Sequence, residues 1–240
     1  MYEKRTYRRR IKDSDLVSFT AAVKETDLYI CAESDLTSEA LEAIRTCRDP
    51  LEEYISRHPL FLHSLEPVEV EKDAPGIVRM MAEAAREAGV GPMAAVAGAV
   101  AELVGKRLLE HSSEVIVENG GDIFLKINKK RRIGIFAGEA AFSGKLALEI
   151  EPENTPLGIC TSSGTVGPSL SLGLADAAII LAPSAALADA AATAVGNSVK
   201  SREDINYALE LGQKISGVSG IVIIVGEKMG AWGSVKLIRL

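Results

Sequence analysis

EVIVENGGDIFLKI, residues 114–127, holds two strand-like runs, 114–118 and 122–127, joined by Asn119-Gly120-Gly121. Asparagine and glycine accept positive φ, so this junction predicts a tight hairpin. More strand-like runs follow: RRIGIFAG at 131–138 and GKLALEIEP at 144–152. LGICTSSGTVGPSLSLG, 157–173, reads as a strand opening into a Ser/Thr/Gly loop, and ADAAIILAP, 175–183, as a further strand. GIVIIVGEKMGAWGSVKLIRL closes the chain as a hairpin with Gly226-Glu227-Lys228 near its turn. Upstream, residues 15–24 and 27–33 read as two strands around Lys24-Glu25-Thr26. Strands and helices are grouped and do not alternate strictly. That pattern predicts an α+β fold with a largely antiparallel sheet, as one domain over residues 1–240.

The helices lie between these runs. Residues 37–57 carry Leu41, Ile44, Leu51 and Ile55 at helical spacing; Thr37 is placed to cap, and Pro50 to break or kink. Residues 58–76, with three prolines, read as a crossing segment. Residues 76–88 and 201–213 are amphipathic. PMAAVAGAVAELVGKRLL, 92–109, starts with a proline suited to the first helical position and is apolar all round in its first half. Such an Ala/Gly-rich helix is central and buried. Its Gly98 implies close approach by another backbone or by a ligand.

The chain has 240 residues, 47% hydrophobic and 25% charged, with net charge −6. It is long enough for a sizeable core, and its acidity gives no support for broad nucleic-acid binding. Lys4, Arg5, Arg8, Arg9, Arg10 and Lys12 form a local basic cluster, read as a charged edge or as a site for an anionic group. The charged N-terminus lacks the apolar core of a signal peptide, and no stretch reads as a membrane span. Cys31, Cys47 and Cys160 are too few for a disulfide framework and suit a reducing, cytoplasmic compartment. His58, His63 and His111 show no zinc-site spacing.

Three segments carry oxygen and amide groups suited to chemistry. In ENGGDIFL, Gly120-Gly121 lets a ligand approach the backbone, and Asp122 follows at a strand start. In CTSSGTVG, small residues with free amides and hydroxyls at Thr161, Ser162, Ser163 and Gly164 are able to cradle a phosphate, or to form a plain loop. LAPSAALADAAATAVGN, 181–197, is an apolar helix that Ser184 caps and Gly196-Asn197 ends. Asp189 and Thr193, four apart, share one face of it. A carboxylate on a buried face calls for a partner, and no Lys or Arg lies between Lys145 and Lys200. The partner is a metal, a backbone amide or a ligand group. A hard cation such as Mg²⁺ suits these donors.

NGGDI, TSSG and SAALADAAATAVGN, in that order, resemble the ApbE superfamily, the FAD:protein FMN transferases. With ETDLYI and GPMAAVAGAVAE, the whole chain looks like the short branch of ApbE-like proteins found mostly in archaea and anaerobes. The resemblance implies an FAD or related nucleotide site with Mg²⁺ at the pyrophosphate. Asp189 and Thr193 would hold the metal, and Asn119, Gly120, Gly121, Asp122, Thr161, Ser162, Ser163 and Gly164 would line the cofactor site. Two departures stand out. The family's Lys in a G-x-x-K-G segment has no counterpart in residues 91–102, and its His-Ile-x-Asp-Pro segment is replaced by TVGPSLSLG.

The expectation is therefore an ApbE-like protein that binds a phosphate-containing, flavin-like or nucleotide ligand with Mg²⁺ and does not transfer FMN. Catalytic residues, and whether the chain is an enzyme at all, stay open. The alternative is a non-catalytic accessory protein in sulfide assimilation and homocysteine formation in anaerobes. A low-pKa thiol at Cys160 would mark that reading, and a small buried hydrophobe would count against it. The expected partner is a small molecule, with no nucleic acid and no membrane; a homo-oligomer is left open.

Overall fold

The computed structural model describes residues 15–165 and 172–240. The basic cluster at residues 4–12 lies outside them, as do residues 166–171 of the TVGPSLSLG stretch.

Eleven strands and six α-helices alternate in groups among the described residues. β1 (Val17–Val23) and β2 (Thr26–Ala32) form the first hairpin, turning through Lys24, which takes φ 53°. α1 (Thr37–Arg57), α2 (Pro59–His63) and α3 (Gly76–Ala88) follow. A 3₁₀ turn at Pro92–Ala95 leads into α4 (Val96–Leu108). Then come β3 (Val115–Asn119), β4 (Asp122–Lys126), β5 (Arg131–Gly134), β6 (Leu146–Ile150), β7 (Leu157–Ser162) and β8 (Ala177–Ala182). α5 (Ala185–Ser198), α6 (Ile205–Gln213), β9 (Gly220–Val225), β10 (Lys228–Gly233) and β11 (Leu237–Arg239) complete the chain.

Eight strands make one sheet in the order β1-β2-β3-β4-β7-β8-β9-β10, and each pairing in it is antiparallel. The expected α+β, largely antiparallel architecture is present. The helices cover one face of this sheet, through Ile30, Val117, Phe124, Ile180 and Ile223 among others. A small sheet, β11-β6-β5, covers the other face through Leu125, Ile133, Leu148, Ile179 and Val222. The central strands are thus buried on both faces, which is why β8 and β9 read as unbroken apolar runs rather than alternating ones. α4 packs on β3 and β4, and α5 on β7 and β8.

Several local expectations need correction. Pro50 sits within α1 without ending it. Asp35, not Thr37, accepts at the start of α1: its Oδ1 takes the Thr37 N–H at 3.0 Å and the Thr37 hydroxyl. α5 does cap on Ser184, but it runs past Gly196-Asn197 to Ser198. The closing segment is more than a hairpin: after β9 and β10 it leaves the large sheet, and β11 pairs with β6 in the small one. No single helix among the described residues is long and apolar enough to cross a membrane.

Candidate functional site

The β3–β4 turn is the starting point. Gly120 and Gly121 take φ 69° and 109°, the left-handed region that the Asn-Gly-Gly signal demands. Glu118, 1% exposed, fixes the turn by accepting the Gly121 N–H on its Oε1 at 2.7 Å. The β4–β7 register pairs Ile123 with Ile159, which sets the start of β4 beside the end of β7. There the Thr161 N–H donates to Asp122 Oδ1 at 3.1 Å. The NGGD and TSSG segments therefore meet at one end of the sheet.

α5 crosses over this end. Gly158 and Cys160 lie under its first turn: a Cβ on Gly158 would sit 2.4 Å from the Ala185 Cα, and the Cys160 thiol faces the Ala185 carbonyl at 3.3 Å. Near the far end of the helix, Gly196 lies against the Ser162 side chain. Between them stand Asp189 and, one turn on, Thr193.

Asp189 reaches across to α4. Its Oδ2 accepts the Gly98 N–H at 2.9 Å, and the Ala97 N–H also points to the carboxylate. Gly98 permits this approach, because a Cβ there would lie 2.2 Å from the Ala185 carbonyl oxygen and 2.8 Å from Asp189 Cβ. The neighbour expected at Gly98 is thus the α5 backbone. Asn119 also faces α4, donating its Nδ2 to the Ala97 carbonyl at 3.1 Å.

Four predicted residues, Asn119, Asp122, Thr161 and Asp189, are thus joined through α4 and β7, with Gly120, Gly121 and Ser162 adjoining. Ser163 and Gly164 make local contacts in the loop that follows β7. Ser163 Oγ accepts the Thr165 N–H at 3.2 Å, and the Gly164 N–H donates to the Ala175 carbonyl at 2.9 Å.

The electrostatics are unusual. Burial raises the Asp122 carboxyl above the ordinary carboxylate range, to about 7, against the lowering effect of the Thr161 amide. Asp189 is raised well above its usual value, first by desolvation and then by the Asp122 charge, against the pull of the two α4 amides. Asp189 as a whole residue is half-buried. Among the described residues neither carboxylate has an ion-pair partner. Two like charges held together and partly desolvated cost free energy unless a proton or a cation intervenes.

Cys160 departs from the reading of a reactive thiol. It is 0% exposed on β7, and burial together with the Asp122 and Asp189 charges pushes its thiol well above the normal range. Low thiolate content and no solvent access do not suit a sulfur carrier.

One residue escaped sequence reasoning. Glu102 on α4 is 3% exposed and accepts from Ser184 Oγ at 2.8 Å, Ala185 N–H at 2.7 Å and Ala186 N–H at 3.3 Å. Its other oxygen takes Lys106 Nζ at 2.6 Å. Each of the two central helices thus places a carboxylate at the other's first turn. The only sequence signal was a lone acid in AAVAGAVAELVG. Glu102→Ala leaves the Ala185 and Ala186 amides at the start of α5 without their acceptor and is expected to lower stability by about 1–3 kcal/mol, read by urea denaturation.

A family model described as AbpE bacteria matches residues 8–231. The chain belongs to this ApbE-like family. A UPF0280 protein of Methanocella arvoryzae is 42% identical over 219 residues, covering 90% of this chain and 89% of that protein. A UPF0280 protein of Methanocaldococcus jannaschii is 43% identical over 219 residues, covering 89% of each. Among solved structures, the Pseudomonas stutzeri flavinyl transferase ApbE in its apo form aligns with TM-score 0.61 and 14% identity, over 91% of this chain and 94% of that one. The flavin transferase ApbE of Vibrio cholerae aligns with TM-score 0.53 and 14% identity, over 91% and 97%. At these identities the likeness shows the ApbE fold, shared over nearly the whole chain.

Proposed function

We propose that this ApbE-like protein binds a phosphate-containing ligand of the flavin or nucleotide type together with Mg²⁺ at the Asp122/Asp189 site, and does not transfer FMN to protein threonines. The observation that carries the reading is the carboxylate pair. Each carboxylate has about four lone-pair sites, and protein donors occupy only some of them. A hard divalent cation fits this donor set, since it relieves the like-charge repulsion and accepts oxygen ligands.

In this reading Asp122 and Asp189 hold the cation, with the Thr193 hydroxyl one turn further along the same helix face. Gly120, Gly121 and the Thr161–Ser162 backbone offer amides and close approach to the phosphates. Bound Mg²⁺ supplies charge neutralisation at a pyrophosphate. The named activity of the structural neighbours favours a flavin-type ligand. The absent G-x-x-K-G lysine and the absent His-Ile-x-Asp-Pro segment argue against transfer, because group transfer depends on tight orientation of both reactants.

The test has two arms. FAD is expected to raise the melting temperature in the presence of Mg²⁺, and less or not at all in EDTA. Incubation with FAD, Mg²⁺ and a flavin-acceptor peptide is expected to leave the peptide mass unchanged. A peptide gain equal to FMN would restore the transferase, and an absent response to both FAD and Mg²⁺ would remove the ligand reading.

A further inference from the structure

β10 ends the large sheet, and five of its six residues Lys228–Gly233 are exposed, Met229 to 37% and Trp232 to 36%. Its register with β9 is continuous from Lys228↔Val225 to Gly233↔Gly220, so no bulge twists the edge away. It carries no proline, and its one charge, Lys228, stands at its start. Among the described residues no strand covers its outer side. Open edges of this kind are normally blunted by charge, proline or a bulge, because their free N–H and C=O groups recruit other strands. Met229 and Trp232 add exposed apolar surface there, and Tyr207 on the nearby α6 is 59% exposed.

The hairpin defines what the edge offers. A two-residue turn, Gly226-Glu227, makes Val225–Lys228 the closing hydrogen-bonded pair. Alternation then commits the amides and carbonyls of Lys228, Gly230 and Trp232 to β9 and turns those of Met229 and Ala231 outward. Side chains alternate as well. A Cβ on Gly230 would strike Ile205 and Leu209 of α6, so Lys228, Gly230 and Trp232 share the helix-side face.

We propose that β10 is the pairing surface for a second copy of this chain, antiparallel and centred on Gly230, joining two eight-stranded sheets across a two-fold axis. The edge is self-complementary in this register. Met229 of one copy faces Ala231 of the other, which matches the outward hydrogen-bonding groups. Lys228, whose Nζ lies 3.7 Å from Glu203 Oε1 within its own chain, faces Trp232 on the same side, twice, and an ammonium that turns over an indole face makes an attractive pair. Glycine at the centre removes side-chain collision at the axis. No like charges stand opposite each other along this strand pair.

Sedimentation of the full chain over a range of concentrations tests this. The parent is expected to show a monomer–dimer equilibrium. Ala231→Pro removes an outward N–H that β9 does not use, and is expected to give monomer with an unchanged melting temperature under dilute conditions. Trp232→Ala is expected to weaken association about tenfold or more. Amide exchange supplies a readout that needs no substitution: the Met229 and Ala231 amides should gain protection as concentration rises. A parent that stays monomeric up to its solubility limit overturns the proposal. So does a dimer unaffected by Ala231→Pro and Trp232→Ala, or open-ended growth beyond the dimer.

Discussion

Asp189→Asn is expected to abolish the melting-temperature response to Mg²⁺ while leaving the metal-free protein at least as stable as the parent at pH 8. The reasoning follows from the sign of the carboxylate shifts. Asp122 and Asp189 both hold their protons more tightly in the folded chain than the value of about 3.9 for an unfolded aspartate. Their contribution to stability is complete below that unfolded value and is lost as pH rises through the folded values, about 7 for Asp122. The metal-free parent should therefore melt lower at pH 8 than at pH 5.5, and Mg²⁺ should close that gap. Asparagine removes one charge of the pair yet keeps a carbonyl oxygen for the Ala97 and Gly98 amides, so the variant should show a shallower pH slope. Scanning calorimetry at both pH values, with Mg²⁺ and with EDTA, checks each part. A parent with no pH slope from this pair and no Mg²⁺ response would return Asp189 to a purely structural role as a cap on α4. A site retained at the expense of stability is a common signature of function.

Gly98→Ala is expected to be strongly destabilising. The new Cβ would meet the Ala185 carbonyl oxygen at 2.2 Å and the Ala185 carbonyl carbon at 2.7 Å, both backbone atoms of a packed helix. Neither has a flexible end to swing aside, so α4 and α5 must separate. Overpacking of this kind costs about 1–3 kcal/mol or more, against a helix-propensity gain of up to about 1 kcal/mol from replacing glycine. Separation would also pull the Gly98 amide away from Asp189, so stability and the cation response should fall together. Gly76→Ala is the internal control: it too lies in a helix, and a Cβ there meets nothing within 4 Å. Urea denaturation of the two variants beside the parent makes the comparison.

Much of the fold was legible because the signals were local. Asn119-Gly120-Gly121 required positive φ and obtained it at two glycines. Ser184 before an alanine run announced α5 and caps it. The small sheet was not legible, because β11 pairs with β6 some ninety residues earlier and nothing in LIR specifies that partner. The helix over 37–57 was legible as well, and Pro50 does not break it, because tertiary burial of Cys47, Leu51 and Tyr54 holds α1 together across it. At the site, the spacing of Asp189 and Thr193 was readable, whereas the amides that Asp189 serves lie on another helix and appear only once the chain is folded. Cys160 was open to two readings, a reactive thiol and a small buried hydrophobe, and its 0% exposure fits the second. It adjoins a loop in sequence, yet its own position is inside a strand beneath a helix.

The exchange of carboxylates between α4 and α5 also bears on the order in which this chain can fold. Asp189 and Gly98 are 91 residues apart, and Glu102 and Ala185 are 83 apart. Neither helix carries its own acidic residue in its first turn. Each start is completed by a group that arrives only when two distant halves of the chain have met, after the loop-closure entropy of bringing them together has been spent. Short helices are marginal in water without such support. Both should therefore consolidate late and together, after the β3–β4–β7–β8 strands are aligned, which places this pair on the slow side of the topology-dependent range of folding rates.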